Sequence, residues 1–462
     1  MSPLLIVMRR VVLNVVGLSA RDLESGEMPR IAQFAKRGSS AKISPAFPAV
    51  TCTAQSDYLT GERASVHGIV GNGWYDRALS EVHFWKQSNR LVQAPKVWDK
   101  LHQRSHKLRI ANLFWWYNMG TQADISVTPR PNYLADGGKV FDIATYPYEI
   151  KNSLKADLGE FPFKNFWGPA AGLASSQWIA NAAQWIEQNQ KPDLNLVYLP
   201  HLDYDLQRFG PRSVEARQAR SDIDNLVGDL IVFFEKRGVD VMIVSEYAIT
   251  EVNHDIPLNR ILRKHGLLRI KEELGVEILD TFNSQAFAVV DHQVAHVIVQ
   301  DSSKLDEVRK ILESTDGVEK VFDQDAQKKL GINHDRSGDF IVVAKKNAWF
   351  SYYWWLDDDR APDYARTVDI HRKPGYDPAE LLIDSAIKFP LLNVACFLLK
   401  KRLGFRALLK LTPLSGEQIK GSHGRVPEDP LDWPVIITGA GISLPPTLES
   451  VDIAKLLTEG LR

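Results

Sequence analysis

Two cysteines, Cys52 and Cys396, are all that 462 residues contain. A disulfide framework is therefore excluded, and a reducing, cytoplasmic setting is the expectation. No apolar run approaches the roughly 18 residues that a membrane-spanning helix needs. Neither charge sign is in excess, with 56 Lys and Arg against 57 Asp and Glu. A nucleic-acid-binding domain would show a basic surplus, so none is expected as a partner. Internal repeats and low-complexity stretches are missing too. The N-terminal run Met1–Val16 carries Arg9 and Arg10 in its middle and passes straight into Gly17. It reads as a first buried strand and not as a secretion signal.

What is present is alternation. Short β-branched runs at Val11–Val16, Arg109–Leu113, Leu194–Leu199 and Val239–Val244 are separated by amphipathic stretches. Those stretches are Pro29–Lys36, Cys52–Leu59, Lys96–Gln103, Ser175–Gln188, Val214–Lys236 and Pro257–His265. Strand-then-helix alternation predicts an α/β fold, a doubly wound, mostly parallel sheet. Ligands in such sheets bind beyond the C-terminal strand ends. Between about 270 and 350 the pattern changes to four strand candidates and one helix, Lys304–Glu313. An α+β cap over 269–365 is expected there, inserted in a core formed by 1–268 and 366–462. Val435–Thr438 should return to the main sheet.

Chemistry concentrates in the segment Phe47-Pro48-Ala49-Val50-Thr51-Cys52-Thr53-Ala54-Gln55, followed by Thr60-Gly61 and by His67-Gly68-Ile69-Val70-Gly71-Asn72. A hydroxyl at a helix N-terminus faces free N–H groups and the positive end of the dipole, a natural phosphate site. These motifs resemble the nucleotide pyrophosphatase/phosphodiesterase branch of the alkaline phosphatase superfamily. The resemblance implies that Thr51 is the nucleophile and that Asn72 binds a non-bridging phosphoryl oxygen. It also implies two zinc-like sites built from Asp and His after several strands, and here the chain departs from the pattern. Val16 stands where the first strand should end in Asp. In the Asp-x-x-x-His motif Asp203 is kept but Gln207 replaces His. In Ser-Asp-His-Gly the chain reads Ser245-Glu246-Tyr247-Ala248, and the final His-Gly is kept as His423-Gly424.

The implied metal ligands are thus Asp203, His423, Glu246 and Gln207. Zinc prefers three His, Cys or carboxylate ligands at a catalytic site, so a divalent metal is expected at one site and not two. Additional candidates are His201 and Asp205, which share a face with Asp203 if that segment is extended, together with His371 of the Asp369-x-His371 pair, and Tyr247. The expected function is hydrolysis of a phosphodiester or pyrophosphate bond in a small phosphoester, with a reduced or rebuilt metal site. The competing readings are a binding protein on the same fold and an altered reaction around His201, Asp203, Asp205 and His371. The aromatic runs Phe114–Tyr117 and Trp349–Trp355 are candidates for stacking a planar leaving group. Arg360, Arg366, Arg372 and Lys373 are candidates for a second anion site. Finally, 387–411 reads as a basic amphipathic helix or helix pair broken near Gly404. Packing against the core is the expected use of it, and peripheral membrane contact the other.

Overall fold

The computed structural model describes residues 9–104, 108–135 and 138–461. Residues 1–8 of the N-terminal run lie outside it. Nine strands form the central sheet in the order Thr447–Glu449, Ser39–Ser44, Val435–Thr438, Val239–Val244, Arg9–Val15, Leu194–Leu199, Ile110–Leu113, Ile125–Pro129, Ile143–Tyr146. The five strands from Val239–Val244 to Ile125–Pro129 are mutually parallel. Val435–Thr438 does return to the sheet, but antiparallel, wedged between Val239–Val244 and Ser39–Ser44. The β-branched runs explain the central strands: Leu194–Leu199 is buried at every position, as a strand covered by helices on both faces must be.

The helices that cover the sheet follow their apolar spacing. In Val214–Glu235 the buried residues Ile223, Leu226, Val227, Leu230 and Phe234 fall on one stripe. Its start is fixed by Ser213, whose side chain accepts from the Ala216 N–H. Each central strand points its C-terminal end toward one edge of the sheet, and Val16, Pro200 and Ser245 follow directly from three of them.

A second sheet is antiparallel and four-stranded, in the order Ala286–Asp291, Val294–Val299, Phe340–Ala344, Val318–Phe322, with the helix Leu305–Ser314 beside it. It has its own apolar core, which includes Tyr352, Tyr353, Trp354 and Trp355. Those aromatics are fully buried packing, so they do not form a stacking platform. The first two strands of this sheet form a hairpin, pairing Asp291 with Val294. Its turn is His292-Gln293, and His292 has φ +61°. Only a small fraction of non-glycine residues adopt that conformation, and it aims the His292 side chain back at the main sheet.

The helix Pro390–Arg402 is present, but it does not pack on the core: none of its residues is buried. It is apolar nearly all round and lacks the single stripe that docking on a core needs, with its cations gathered in the last turn.

Candidate active site

Thr51 opens the helix Thr51–Thr60 beyond the sheet edge, with Val50 as an extended N-cap residue. The loop before it is held by Ala49, whose N–H donates to the Gly424 carbonyl at 2.9 Å. His423 Nδ1 lies 2.8 Å from the Ala49 carbonyl and donates to it. That fixes the tautomer and leaves Nε2 as a bare, buried acceptor. Asn72 accepts the Cys52 N–H through Oδ1 at 3.0 Å, so it satisfies one of the free donors of the helix start. Asn72 in turn gives its backbone N–H and its side-chain amide to Asp291, at 2.7 and 3.1 Å.

The Thr51 hydroxyl is bonded to the Tyr247 hydroxyl at 3.2 Å. Tyr247 donates to Asp203 Oδ1 at 3.1 Å. The Gln207 amide donates to the other oxygen, Oδ2, at 2.8 Å, and its own carbonyl accepts from the Tyr376 hydroxyl at 2.8 Å. With the single Tyr247 proton given to Asp203, Thr51 is the donor of its bond. A proton path therefore runs from Thr51 through Tyr247 to Asp203. Burial pushes the Asp203 carboxyl up to about 7, against the pull of the Tyr247 and Gln207 hydrogen bonds.

Glu246 sits fully buried beside this chain. Its Oε1 accepts from both the Asn14 and Gln55 amides at 2.6 Å, and Oε2 is buried without a partner. Burial pushes its carboxyl up to about 8. A neutral acid suits this arrangement: one oxygen accepts twice and the other carries the proton. Beyond Arg9 and Arg10, Asn14 is the one polar side chain of its strand, a signal for a site residue that sequence reading passed over.

Tyr247, His423, His292 and Tyr376 form a column of four rings. Successive centroids are 3.6, 3.7 and 3.5 Å apart. His292 Nδ1 is 2.7 Å from Asp291 Oδ1, and burial lowers the pKa of both His292 and His423 well below the usual value. Asp291, His292 and Tyr376 come from the second sheet and the segment after it. Nothing in the local sequence marks Asp291 and His292 beyond an adjacent Asp-His, whereas Gly375-Tyr376-Asp377 partly echoes the His-Gly-Tyr-Asp of the family that the chain resembles.

Of the expected residues, Thr51, Asn72, Asp203, Gln207, Glu246, Tyr247 and His423 are therefore brought together. The remaining candidates are not. The segment of His201 is a helix, His201–Phe209, so alternate residues do not share a face. His201 lies buried near Ser176 and Asp222, and Asp205 pairs with Arg208. Asp369 is paired with Lys139 and Arg372, and His371 is exposed. The expected second anion site dissolves into ion pairs: Arg360 with Glu272, Arg366 with Asp384, and Lys373 with Asp377 and Glu380. Trp116 packs on Trp85, and its backbone N–H donates to Gln55.

The donor set does not suit a divalent metal. Asp203 is kept, but Gln207, which stands where the resemblance implies His, offers only an amide that is itself bonded to Asp203 and Tyr376. Glu246 is clamped by two amides, and Val16 and Tyr247 occupy two further positions where the resemblance implies Asp and His. Among the described residues no three His, Cys, Asp or Glu side chains converge as a metal site would require.

Residues 10–377 match the family described as type I phosphodiesterase / nucleotide pyrophosphatase. A curated relative, an uncharacterised pyrophosphatase/phosphodiesterase of Schizosaccharomyces pombe, is 25% identical over 236 residues, spanning 50% of this chain but 41% of that protein. The fold is similar to phosphonoacetate hydrolase from Sinorhizobium meliloti, solved with phosphonoformate, at TM-score 0.63 and 15% identity over 99% of this chain and 96% of that one. It is also similar to murine ectonucleotide pyrophosphatase/phosphodiesterase 5, at TM-score 0.60 and 16% identity over 98% and 95% of the two chains.

Proposed function

We propose a phosphoester-cleaving role for this chain, starting from the fact that it belongs to the type I phosphodiesterase / nucleotide pyrophosphatase family. The reading is cleavage of a phosphodiester or pyrophosphate bond in a small phosphoester, with Thr51 as nucleophile. The observation that carries it is the hydrogen-bonded path from Thr51 through Tyr247 to Asp203. In this reading Thr51 Oγ forms a bond to phosphorus while the ester P–O bond breaks. The Thr51 proton moves to Tyr247 as the Tyr247 proton moves to Asp203, a base whose buried carboxyl is poised near neutrality. The leaving oxygen takes a proton from solvent, and water then cleaves the phosphothreonine. Neutral Glu246 serves as a hydrogen-bond donor to a phosphoryl oxygen, and the helix N-terminus faces the developing charge. No step in this reading is routed through a metal, because Val16, Gln207 and Tyr247 stand at positions where the resemblance implies Asp, His and His.

One observation favours a second reading, a binding protein on the same fold. Thr51 is 2% exposed and Glu246 is 0% exposed, so the site is closed in this conformation. For the hydrolase the cap expected over 269–365, which contributes Asp291 and His292, is the part that must move.

The test is hydrolysis of a chromogenic phosphodiester by the full chain, Thr51→Ala and Tyr247→Phe. Turnover should vanish in Thr51→Ala and fall by about 10²–10⁴ in Tyr247→Phe, the range for losing a general acid–base partner. Turnover that survives Thr51→Ala sinks the nucleophile. No turnover by the wild-type chain moves the reading to the binding protein.

A further inference from the structure

Between Asp384 and Leu411 the chain leaves the body and comes back to the same point. The Asp384 N–H donates to the Leu411 carbonyl at 2.7 Å, and the Leu411 N–H to the Arg366 carbonyl at 2.9 Å. The stretch between forms a finger: the helix Pro390–Arg402, a turn at Gly404 with φ +82°, and an extended return, one side of it facing a groove against Glu273, Leu274, Val276 and Ile278 and the other open. Phe405 N–H closes the helix end on the Lys400 carbonyl.

The finger exposes what a soluble surface normally hides. Leu391 is 86% exposed and Phe389 70%, with Leu392, Leu398, Leu399, Leu403 and Phe405 also open. Exposed apolar patches of this kind mark interaction surfaces. The charge is equally one-sided. From Ser385 to Gly416 the sequence holds Lys388, Lys400, Lys401, Arg402, Arg406 and Lys410 and no Asp or Glu, in a chain whose net charge is -1. Of these cations only Arg406 has an ion-pair partner among the described residues, the exposed Asp363. A protein partner would have to supply both an apolar groove and matching acids. A leaflet of anionic lipid offers both at once, acyl chains for the leucines and phosphates for the cations. Among the described residues no helix is long and apolar enough to cross a membrane, so the finger would lie in the interface and not span it.

We propose that the finger 385–410 docks the protein on an anionic lipid surface, its apolar helix inserted at the headgroup level and its basic end held by lipid phosphates. This stands apart from the reading of the Thr51 site.

Cys396 on the finger is exposed and Cys52 is buried, so an environment-sensitive fluorophore on Cys396 of the full chain reports insertion. Vesicles of phosphatidylcholine mixed with phosphatidylserine should shift its emission to the blue, and phosphatidylcholine alone should do so far less. Replacing Lys400, Lys401 and Arg402 by Gln should weaken vesicle binding by roughly a hundredfold, at about fivefold for each basic residue. High salt should act in the same direction. A variant with 386–409 replaced by a Gly-Ser linker should keep its urea-unfolding curve and lose co-sedimentation with the vesicles. The proposal fails if the wild-type chain ignores anionic vesicles at low salt, or if the linker variant still binds them. It fails equally if the blue shift arises without lipid, together with a dimer mass in sedimentation, because a second copy then covers the face.

Discussion

Replacing Glu246 by Gln should make the protein more stable, and only above the pH at which a free glutamate ionises. An unfolded Glu titrates near 4.5, whereas burial holds this carboxyl to about 8 in the folded protein. Between those values the folded chain keeps a proton that the unfolded chain has released, so stability falls as pH rises. The Glu246 contribution is complete below 4.5 and is lost by the time pH passes 8. One pKa unit is 1.36 kcal/mol, which sets a ceiling of about 5 kcal/mol across the window. Gln reproduces the neutral acid: its carbonyl accepts from Asn14 and Gln55 as Oε1 does, and its amide takes the place of the unpartnered Oε2. Urea unfolding of wild type and Glu246→Gln should therefore coincide at about pH 4.5 and separate by about 2–5 kcal/mol at about pH 9, with the variant more stable. Parallel curves, or a variant less stable at every pH, would refute the reasoning. They would mean that Glu246 is ionised in the fold and faces a cation.

Two further outcomes are expected. Lys373 is fully buried between Asp377 at 2.7 Å and Glu380 at 2.8 Å, so Lys373→Met strands two carboxylates; it should cost about 3–5 kcal/mol in urea unfolding, and a loss under 1 kcal/mol would show the group to be wet. Zinc, manganese or a chelator should leave both the melting temperature and any phosphodiesterase activity unchanged, since Val16, Gln207 and Tyr247 replace three of the implied metal ligands; a chelator that abolishes activity contradicts this.

The sheet was legible wherever burial on both faces writes a continuous β-branched run, as in Leu194–Leu199 and Val239–Val244. It was not legible at its edges. Ser39–Ser44 has few apolar residues, and Thr447–Glu449 has three residues in all, so neither carries a periodic signal. The cluster around Thr51 was readable from motif positions because a short segment places the nucleophile, its helix and Asn72 together. Asp291 and His292 were not, since they reach the site from a hairpin turn 219 residues beyond Asn72. The segment after Pro200 misled in a different way. Read as extended, it joined His201, Asp203 and Asp205; as a helix it buries Leu202, Asp203 and Leu206 and turns Asp205 away. The finger defeated prediction because an apolar helix was assumed to need a core, whereas this one has none of its residues buried.

The column of four rings has a consequence for how the closed site can be entered. Tyr247 belongs to the core of the main sheet and Tyr376 to that of the second, with His423 and His292 interleaved between them. Such a stack works as a clasp: it cannot loosen gradually, because parting the two cores breaks the His423–His292 ring contact outright. At roughly 0.5–1.5 kcal/mol for a ring pair, parting His423 from His292 would hold the open form to roughly one molecule in three to one in fourteen. A ligand that gains entry would have to repay that bias with its own contacts, so affinity and gating would be set by the same few rings.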